Sequence, residues 1–213
     1  MAGLLNEKIN KNFIVFEGID GSGKTSIVNL LKDYFERKKN SNVLFTFEPT
    51  NQGEWSKKID EIVRGEVKNI TPNDLQLLCI LDRKDHIKQV ISPALKKEKI
   101  VFCDRFFLST LAYGSASGIH WKTLWNNHKD VIGEDMIMPA FIIFFDTDPE
   151  IAISRISQRG AKKTIFENIQ NLQKIRNEYL SIGPHFEGFK VINGNDSSEK
   201  VLESLKLVLA EYL

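Results

Sequence analysis

The chain has 213 residues, which is enough for one well-buried core, and nothing in its composition asks for a second domain. Hydrophobic residues make up 42% and charged residues 27%, an ordinary globular mixture. The formal net charge of +1 leaves no global electrostatic attraction for nucleic acid or an acidic membrane, so any bound anion must be held by a local cluster.

The positions of the cysteines and the lengths of the apolar stretches indicate the cellular compartment. Cys79 and Cys103 lie in apolar runs far apart in the chain, a pattern typical of two buried hydrophobic side chains rather than a disulfide framework or a metal site. The first twelve residues lack the apolar stretch of a signal peptide, and no run approaches the length of a membrane span. We therefore expect a soluble, cytoplasmic protein.

Short apolar runs alternate with helical patterns along the chain, which is typical of an α/β fold with a parallel sheet. The apolar runs predict five strands, at 13–16, 43–47, 100–103, 141–145 and 191–192. Helices are predicted over 25–39, 59–64 and 72–95, from Pro149, and after a capping-box pattern at 196–199. Thr71 is the predicted cap of the long helix, which Pro93 is expected to bend or interrupt.

A glycine-rich loop follows the first predicted strand. Residues 18–25 read Gly-Ile-Asp-Gly-Ser-Gly-Lys-Thr and fit G-x-x-x-x-G-K-[ST] between a strand and a helix. In this motif backbone N–H groups close around phosphate oxygens at a helix N-terminus, Lys24 reaches the β- and γ-phosphates, and Thr25 gives a hydroxyl to Mg²⁺. A guanine-reading N-K-x-D is absent, so the loop predicts an ATP site. Its cofactor-binding residues would be Gly18, Asp20, Gly21, Ser22, Gly23, Lys24 and Thr25.

Three further segments follow predicted strands, at the edge where open α/β sheets bind ligands. They are Phe47-Glu48-Pro49-Thr50, Asp104-Arg105-Phe106 and residues 148–167. Together with Phe16-Glu17 and the glycine loop, this ordered set resembles the thymidylate kinase family over about residues 13–209, and its archaeal-like branch most closely. The resemblance implies a three-layer P-loop NTPase fold with a five-stranded parallel sheet. It also implies one kinase domain over 1–213, with a lid at about 155–167.

The resemblance implies roles for several residues. Asp20 would accept a hydrogen bond from the 3′-hydroxyl of the acceptor sugar. Arg105 would be a catalytic residue that binds the acceptor phosphate with paired hydrogen bonds. Asp104 would lie at the metal with Thr25, and Arg83 would contact the pyrimidine O4. The remaining substrate-binding residues would be Glu48, Ser109, Thr110 and Tyr113.

The lid contributes cations in this interpretation. Arg155 and Arg159 are four residues apart and share a helix face, and Lys162 and Lys163 follow Gly160. Because Gly21 stands where related kinases carry a basic residue, the resemblance implies that the lid neutralises the γ-phosphate in the transition state. Arg159 is then catalytic and Arg155 binds ATP.

Each of these cations also has a plainer interpretation. Arg155 and the two lid lysines fit ordinary surface charges, and Arg83, flanked by Asp82 and Asp85, fits a solvated helix face. Asp104 and Arg105 fit a structural ion pair at a strand end. The four histidines show no metal or triad spacing and are interpreted as structural: His86, His120, His128 and His185.

Three positions depart from the family pattern. Phe47 stands where an arginine is usual, Cys79 replaces a base-stacking phenylalanine, and Gly114 replaces glutamine or threonine. Base–aromatic stacking is worth roughly 1–3 kcal/mol, so its loss would weaken binding or widen base choice. Phe47, Phe106 and Phe107 are candidates to stack instead.

The sequence therefore predicts the reaction ATP + dTMP → ADP + dTDP, by direct in-line transfer in a Mg²⁺-dependent homodimer without nucleic-acid or membrane partners. One alternative is a kinase for another acceptor, such as dUMP, a modified pyrimidine nucleotide or a nucleoside. A second alternative is a nucleotide-binding module without transfer activity.

Overall fold

The computed structural model describes residues 9–158 and 164–212. Within these ranges the strands are β1 (Ile9–Glu17), β2 (Val43–Phe47), β3 (Ile100–Asp104), β4 (Met138–Asp146) and β5 (Phe189–Asn193). They pair in parallel in the spatial order β2-β3-β1-β4-β5. The prediction of an α/β fold with a five-stranded parallel sheet is confirmed.

Helices connect the strands and cover both faces of the sheet. They are α1 (Lys24–Arg37), α2 (Gly53–Val63), α3 (Pro72–His86), α4 (Ser92–Lys96), α5 (Phe107–Ala116), α6 (Trp121–Ile132), α7 (Pro149–Gln158), α8 (Ile169–Ile182) and α9 (Ser198–Val208). None of the helices in the described ranges has both the length and the hydropathy that a membrane crossing requires.

The sheet separates two hydrophobic cores, because successive side chains of a strand point to opposite faces. Phe13 and Val15 of β1 pack into the larger core with α3, α5, α6 and α8. Ile14 and Phe16 of β1 pack into the smaller core with α1 and α9. The strands are therefore buried on both sides, as expected for the central layer of a three-layer fold.

The predicted helix boundaries were only partly correct. Thr71 caps α3 as expected, with Asp74 completing a reciprocal capping box. The long helix is interrupted by a π-helical turn, Ile87–Ile91, directly before Pro93. The predicted capping box at 196–199 is wrong, because α9 begins at Ser198 and its cap, Ser197, makes no capping hydrogen bond through its side chain.

α2 begins six residues before the predicted start at 59. Its first buried side chain is Ser56, whose hydroxyl donates to the carbonyls of Gln52 and Gly53. Because this buried position is polar, the apolar periodicity starts only at Ile59.

The carboxyl ends of three neighbouring strands bring the predicted motifs together. Asp104 at the end of β3 is the register partner of Phe16 in β1 and of Phe47 in β2. The glycine loop, the Glu48-Pro49-Thr50 segment and the Asp104-Arg105 segment therefore lie side by side at one edge of the sheet.

Candidate active site

Lys24 lies folded back on the glycine loop. Its ammonium Nζ donates to the carbonyls of Gly18 (2.9 Å) and Ile19 (3.0 Å) and to Ser22 Oγ (3.2 Å). Burial, together with the nearby charge of Arg105, lowers the pKa of Lys24 to about 8. The loop thus holds a buried cation at the N-terminus of α1.

Gly21 is required by a close approach between the loop and α7. Its φ of 78° lies in the left-handed region, and a Cβ at this position would lie 2.4 Å from the carbonyl oxygen of Ala152. No side chain fits there without moving backbone. This contact gives a physical reason for the absence of a basic residue at this position of the loop.

A cavity of about 460 Å³ opens over the glycine loop, and we call it the donor cavity, after the ATP site predicted there. The predicted residues Asp20, Gly21, Ser22, Gly23, Lys24, Thr25, Asp104, Arg105 and Arg155 line it, together with Gly194, residues 196–198 and Val201. Gly18 does not line the cavity, because it lies beneath the loop, where its carbonyl accepts from Lys24 and Arg105. Sequence reasoning did not assign the segment at 194–198 to the site, because it carries no ligand-binding motif and joins the cavity through the position of β5.

Arg155 reaches this cavity from α7. Its guanidinium donates to the carbonyls of Gly194 (2.9 Å) and Asp196 (3.4 Å) and to that of Ser22 (3.4 Å), so it bridges the 194–196 segment and the glycine loop. The interpretation of Arg155 as an ordinary surface charge does not fit these contacts.

Asp104 and Thr25 offer oxygen ligands beside the glycine loop. Both residues line the cavity, and Asp104 Oδ1 is buried without a hydrogen-bond partner among the described residues. An unpartnered buried carboxylate oxygen is costly unless a ligand satisfies it, and Mg²⁺ prefers carboxylate and hydroxyl oxygens. The residues present therefore fit a Mg²⁺ ion.

Arg105 lies at the junction of two cavities. Its Nη2 forms an ion pair with Asp20 Oδ1 at 2.6 Å, and its Nη1 donates to the carbonyl of Gly18 at 2.9 Å and to Ser109 Oγ at 3.2 Å. Its backbone φ of 70° is unusual for a residue other than glycine and is typical of strain held at functional sites. Among the residues that the structure describes, only Asp20 and Arg105 line both this cavity and the next one.

The second cavity, of about 160 Å³, has a polar and an apolar end. We call it the acceptor cavity, after the role predicted for its polar residues. All seven predicted substrate-binding residues line its polar end: Asp20, Glu48, Arg83, Arg105, Ser109, Thr110 and Tyr113. The apolar end is lined by Ile59, Val63, Leu75, Cys79 and Phe166. The Tyr113 hydroxyl is buried and has no partner among the described residues.

A buried hydrogen-bond network orients Arg83. Arg83 Nε donates to Glu48 Oε2 at 2.7 Å, and Arg83 Nη1 donates to Thr110 Oγ1 at 3.0 Å and to His128 Nε2 at 2.7 Å. His86 Nδ1 donates to Glu48 Oε1 at 2.9 Å. Both oxygens of Glu48 are thus occupied, so it positions Arg83 although it also lines the cavity.

The interpretation of His86 and His128 as merely structural missed their place in this network. Burial and the adjacent Arg83 charge lower the pKa of His128 to about 3, so its Nε2 is an acceptor at neutral pH. His128 lies 45 residues from Arg83, and no sequence pattern connects them.

The face of α3 that carries Asp82 and Arg83 is not solvated, since each side chain is only 2% exposed. Asp82 accepts hydrogen bonds from the backbone N–H (2.7 Å) and the hydroxyl (2.6 Å) of Thr50. These bonds fasten the Glu48-Pro49-Thr50 segment to α3. The alternative of a solvated helix face is wrong.

Glu17 holds the turn between β3 and α5 that carries Arg105. Its buried carboxylate accepts from the N–H groups of Phe106 (2.9 Å) and Ser109 (3.2 Å), from Ser109 Oγ (2.6 Å) and from the Tyr179 hydroxyl (3.0 Å). Burial raises the pKa of Glu17, although these hydrogen bonds and Arg105 oppose the shift. A buried carboxylate at the start of α5 thus holds the turn that presents Arg105.

The proposed substitute stacking rings do not reach the acceptor cavity. Phe47 is 48% exposed, whereas Phe106 and Phe107 are buried in the larger core. Phe166 lines the apolar end instead, with its ring edge-on to Tyr113 at 5.1 Å between centroids. Sequence reasoning missed Phe166 because it lies in the lid, distant from every motif of the acceptor site.

Glu48, His86 and Cys103 bring three possible metal ligands within 4.8 Å of one another. The carboxylate is already shared by Arg83 and His86, and the guanidinium would repel a cation at this position. The cluster is therefore explained by hydrogen bonding.

Part of the predicted lid lies outside the described residues, namely Arg159, Gly160, Lys162 and Lys163. The described part of the lid continues at Thr164, whose N–H donates to Glu167 Oε2 at 2.8 Å. Thr164 and Phe166 both line the acceptor cavity.

Comparison with known proteins agrees with this arrangement. A model of the thymidylate kinase family matches residues 16–205. The chain is 37% identical to a protein of Pyrococcus horikoshii described as a probable thymidylate kinase, over 89% of this chain and 91% of that protein. It is 34% identical to a thymidylate kinase of Thermosipho africanus (94% and 98% covered) and 33% identical to one of Bacillus licheniformis (96% and 98%). The match runs from the end of β1 into α9, and the chain therefore belongs to the thymidylate kinase family.

Proposed function

We propose that this chain transfers the γ-phosphate of ATP to the phosphate of dTMP and releases ADP and dTDP. The observation that carries the proposal is the meeting of the two cavities at Asp20 and Arg105. One cavity has the glycine loop of a nucleoside triphosphate site, and the other combines polar residues with an apolar lining. A phosphate donor and a phosphate acceptor bound in them would face each other at a permanent cation.

The donor residues act by positioning and charge. Lys24 and the N–H groups of the glycine loop would hold the β- and γ-phosphates, and Arg105 would hold the attacking phosphate in line. Thr25 and Asp104 would hold Mg²⁺, which shields phosphate charge during transfer. No general base is needed, because the acceptor oxygen already carries negative charge.

The lid completes the donor site in this proposal. Arg155, anchored on the carbonyls of Gly194 and Asp196, would cover the bound nucleotide beside the glycine loop. Arg159, four residues further along, would bring its charge to the γ-phosphate in the transition state. Arg159→Ala should then lower kcat more than it weakens ATP binding, and equal effects on both would assign Arg159 to the surface.

The acceptor residues fit a thymine deoxynucleotide. Arg83, fixed by Glu48 and His128, has only donors to offer and so favours a carbonyl oxygen of the base over an amino group. The apolar end, with Phe166 and Leu75, suits the ring and its methyl group. Asp20 and the free hydroxyl of Tyr113 are available to the sugar.

The test is a coupled ADP-release assay with dTMP, dUMP, dCMP, UMP and thymidine. We expect the highest kcat/KM for dTMP, while dCMP is rejected because its amino group would face Arg83. A higher value for dCMP, UMP or thymidine would show that the substrate assignment is wrong. Absence of transfer to every acceptor would favour a binding module.

A kinase for dUMP is the second candidate, and Cys79 favours it. The thiol lines the apolar end, where an aromatic ring would leave less room. Burying one methyl-sized group is worth roughly 0.8 kcal/mol, and such pockets discriminate by only about 10–200-fold. We therefore expect a dTMP/dUMP ratio at the low end of that range.

The assembly and cellular context are also proposals. The family relationship supports a cytoplasmic homodimer in which residues 1–213 form one kinase domain with a lid at about 155–167. Light scattering should then give a mass of about twice the 24.4 kDa of one chain. A mass of one chain would show that the dimer proposal is wrong.

A further inference from the structure

Gln76 presents an unsatisfied amide at the acceptor cavity. The residue is 3% exposed and lines the cavity, yet none of the described residues forms a hydrogen bond with its side chain. Because the residue is almost enclosed, the small accessible surface of its unpaired amide is open to a ligand that enters a bordering cavity. No sequence motif included Gln76.

The position of Gln76 on α3 directs it to the base. Gln76, Cys79 and Arg83 are spaced at i, i+3 and i+7, which places them on one helix face, and all three line the acceptor cavity. Gln76 also borders a smaller cavity of about 120 Å³ beneath Phe166. Only the acceptor cavity also contains Arg83.

Gly114 of α5 makes room for this side chain. A Cβ at position 114 would lie 3.1 Å from Gln76 Cγ and 2.4 Å from Leu124 Cδ1. Any larger residue at 114 would have to displace one of these two side chains. The glycine and the glutamine are therefore complementary, with α3 filling the space that α5 leaves open.

We propose that Gln76 is a specificity-determining residue that pairs with the base through N3–H and one adjacent carbonyl oxygen. This inference rests on the proposed function. An amide has an acceptor and two donors, and thus matches the donor and acceptor presented side by side by thymine or uracil. An amide can also turn over to match cytosine, so Arg83, with donors only, decides which orientation is productive.

The test combines a change in the protein with a change in the ligand. The wild-type protein, Gln76→Met and Gln76→Glu are each compared on dTMP and on its 3-deaza analogue, which has C–H in place of N3–H. Wild type should lose about 3–10-fold in kcat/KM on the analogue, the range of one net hydrogen bond. Gln76→Met should lose a similar factor on dTMP and nothing further on the analogue.

Gln76→Glu keeps an acceptor for N3–H, and its preference for dTMP over the analogue should survive. The analogue ratio is the kcat/KM for dTMP divided by the kcat/KM for its 3-deaza analogue. Leu77→Ala changes the next residue of α3, which does not line the cavity, and should leave this ratio at the wild-type value. Thermal melting of each variant, with ATP present, monitors folding.

The outcomes separate a reading role from a structural one. If Gln76→Met retains the wild-type analogue ratio, Gln76 does not contact N3–H and the inference is wrong, whatever the absolute loss. Calorimetric Kd values give the same ratio without turnover. Wild-type acceptor preference tests the proposed function by itself, so failure of one claim is distinguishable from failure of the other.

Discussion

Lys24 illustrates how burial sets the chemistry of a single residue. Its ammonium group is enclosed by carbonyls of the glycine loop, and burial lowers its pKa to about 8. In the free protein near pH 8, about half of these side chains therefore lack the proton. Bound phosphate charge would favour the protonated form again.

ATP binding at pH 8 should therefore take up about half a proton, because the pKa of Lys24 rises when the phosphates bind. Calorimetry in buffers with different ionisation enthalpies measures this uptake. The affinity for ATP should fall as the pH rises above 8, where the free protein must first gain the proton.

Two lysine variants control this experiment. Lys24→Met should remove the proton uptake, and Lys32→Met, at an exposed position of α1, should preserve it. Uptake near zero in the wild-type protein at pH 8 would contradict the lowered pKa.

At the scale of elements, β1 and α5 are coupled through Glu17. The carboxylate satisfies two N–H groups at the start of α5, where a helix has unpaired donors and the positive end of its dipole. The turn that it holds contains Arg105, so the start of the helix and the position of the guanidinium depend on the same contact.

Glu17→Gln should destabilise the fold by about 1–3 kcal/mol, because the amide NH2 would face donors that now share a carboxylate. It should also lower kcat, since Arg105 loses its support. Urea unfolding and turnover are the measurements. Glu203→Gln, at an exposed position of α9, should change stability by no more than about 0.5 kcal/mol. If the Glu17→Gln variant is less stable but keeps its kcat, Glu17 stabilises the start of α5 without determining the position of Arg105.

Phe166 links the predicted lid to three helices that line the acceptor cavity. It packs against the small cluster of Ile59 and Leu75 from α2 and α3, and its ring meets Tyr113 of α5. The aromatic surface that the base requires can thus come from the lid instead of from position 79 of α3.

Phe166→Leu should raise the KM for dTMP by about 5–100-fold, if the ring stacks on the base with the usual roughly 1–3 kcal/mol. The KM for ATP should change little, because Phe166 does not line the donor cavity. Ile169→Leu, an exposed position of α8, serves as the control. Equal changes in both KM values would indicate a general disturbance of the lid.

For the whole molecule, the important feature is that two cavities share one pair of charges. Asp20 comes from the glycine loop and Arg105 follows the end of β3, and together they border both cavities. Arg155 and Arg83 each border one cavity only. Ligand effects on stability should follow this division.

Saturating dTMP and a non-hydrolysable ATP analogue should each stabilise the wild-type fold, by about 2.7 kcal/mol at one hundred times Kd. Arg105→Lys should reduce the stabilisation by both ligands, because lysine cannot reproduce a planar guanidinium with paired donors. Arg155→Lys should reduce only that by the ATP analogue. Thermal melting with each ligand is the measurement. If Arg105→Lys reduces the stabilisation by only one of the two ligands, Arg105 does not contact both of them.

Local pattern predicted the donor site well. The phosphate loop is eight consecutive residues between a strand and a helix, and its neighbours in space are largely its neighbours in sequence. The segments at Glu48 and Asp104 were also predicted to join it, because parallel strands end at one edge of the sheet. Arg155, which the family resemblance assigned to ATP, lines the cavity over the glycine loop.

The sequence by itself thus determined the α/β class, the parallel sheet, the glycine loop and the residues that follow each strand, since periodicity and motif spacing are local properties. Only the tertiary structure decided how Arg83 is held by His128, how Glu17 supports Arg105, and which phenylalanine ring lines the acceptor cavity. Those contacts join residues 45, 88 and 53 positions apart (83 to 128, 17 to 105, and 113 to 166). They form because packed helices bring distant side chains together, and no periodicity in the chain encodes such a meeting.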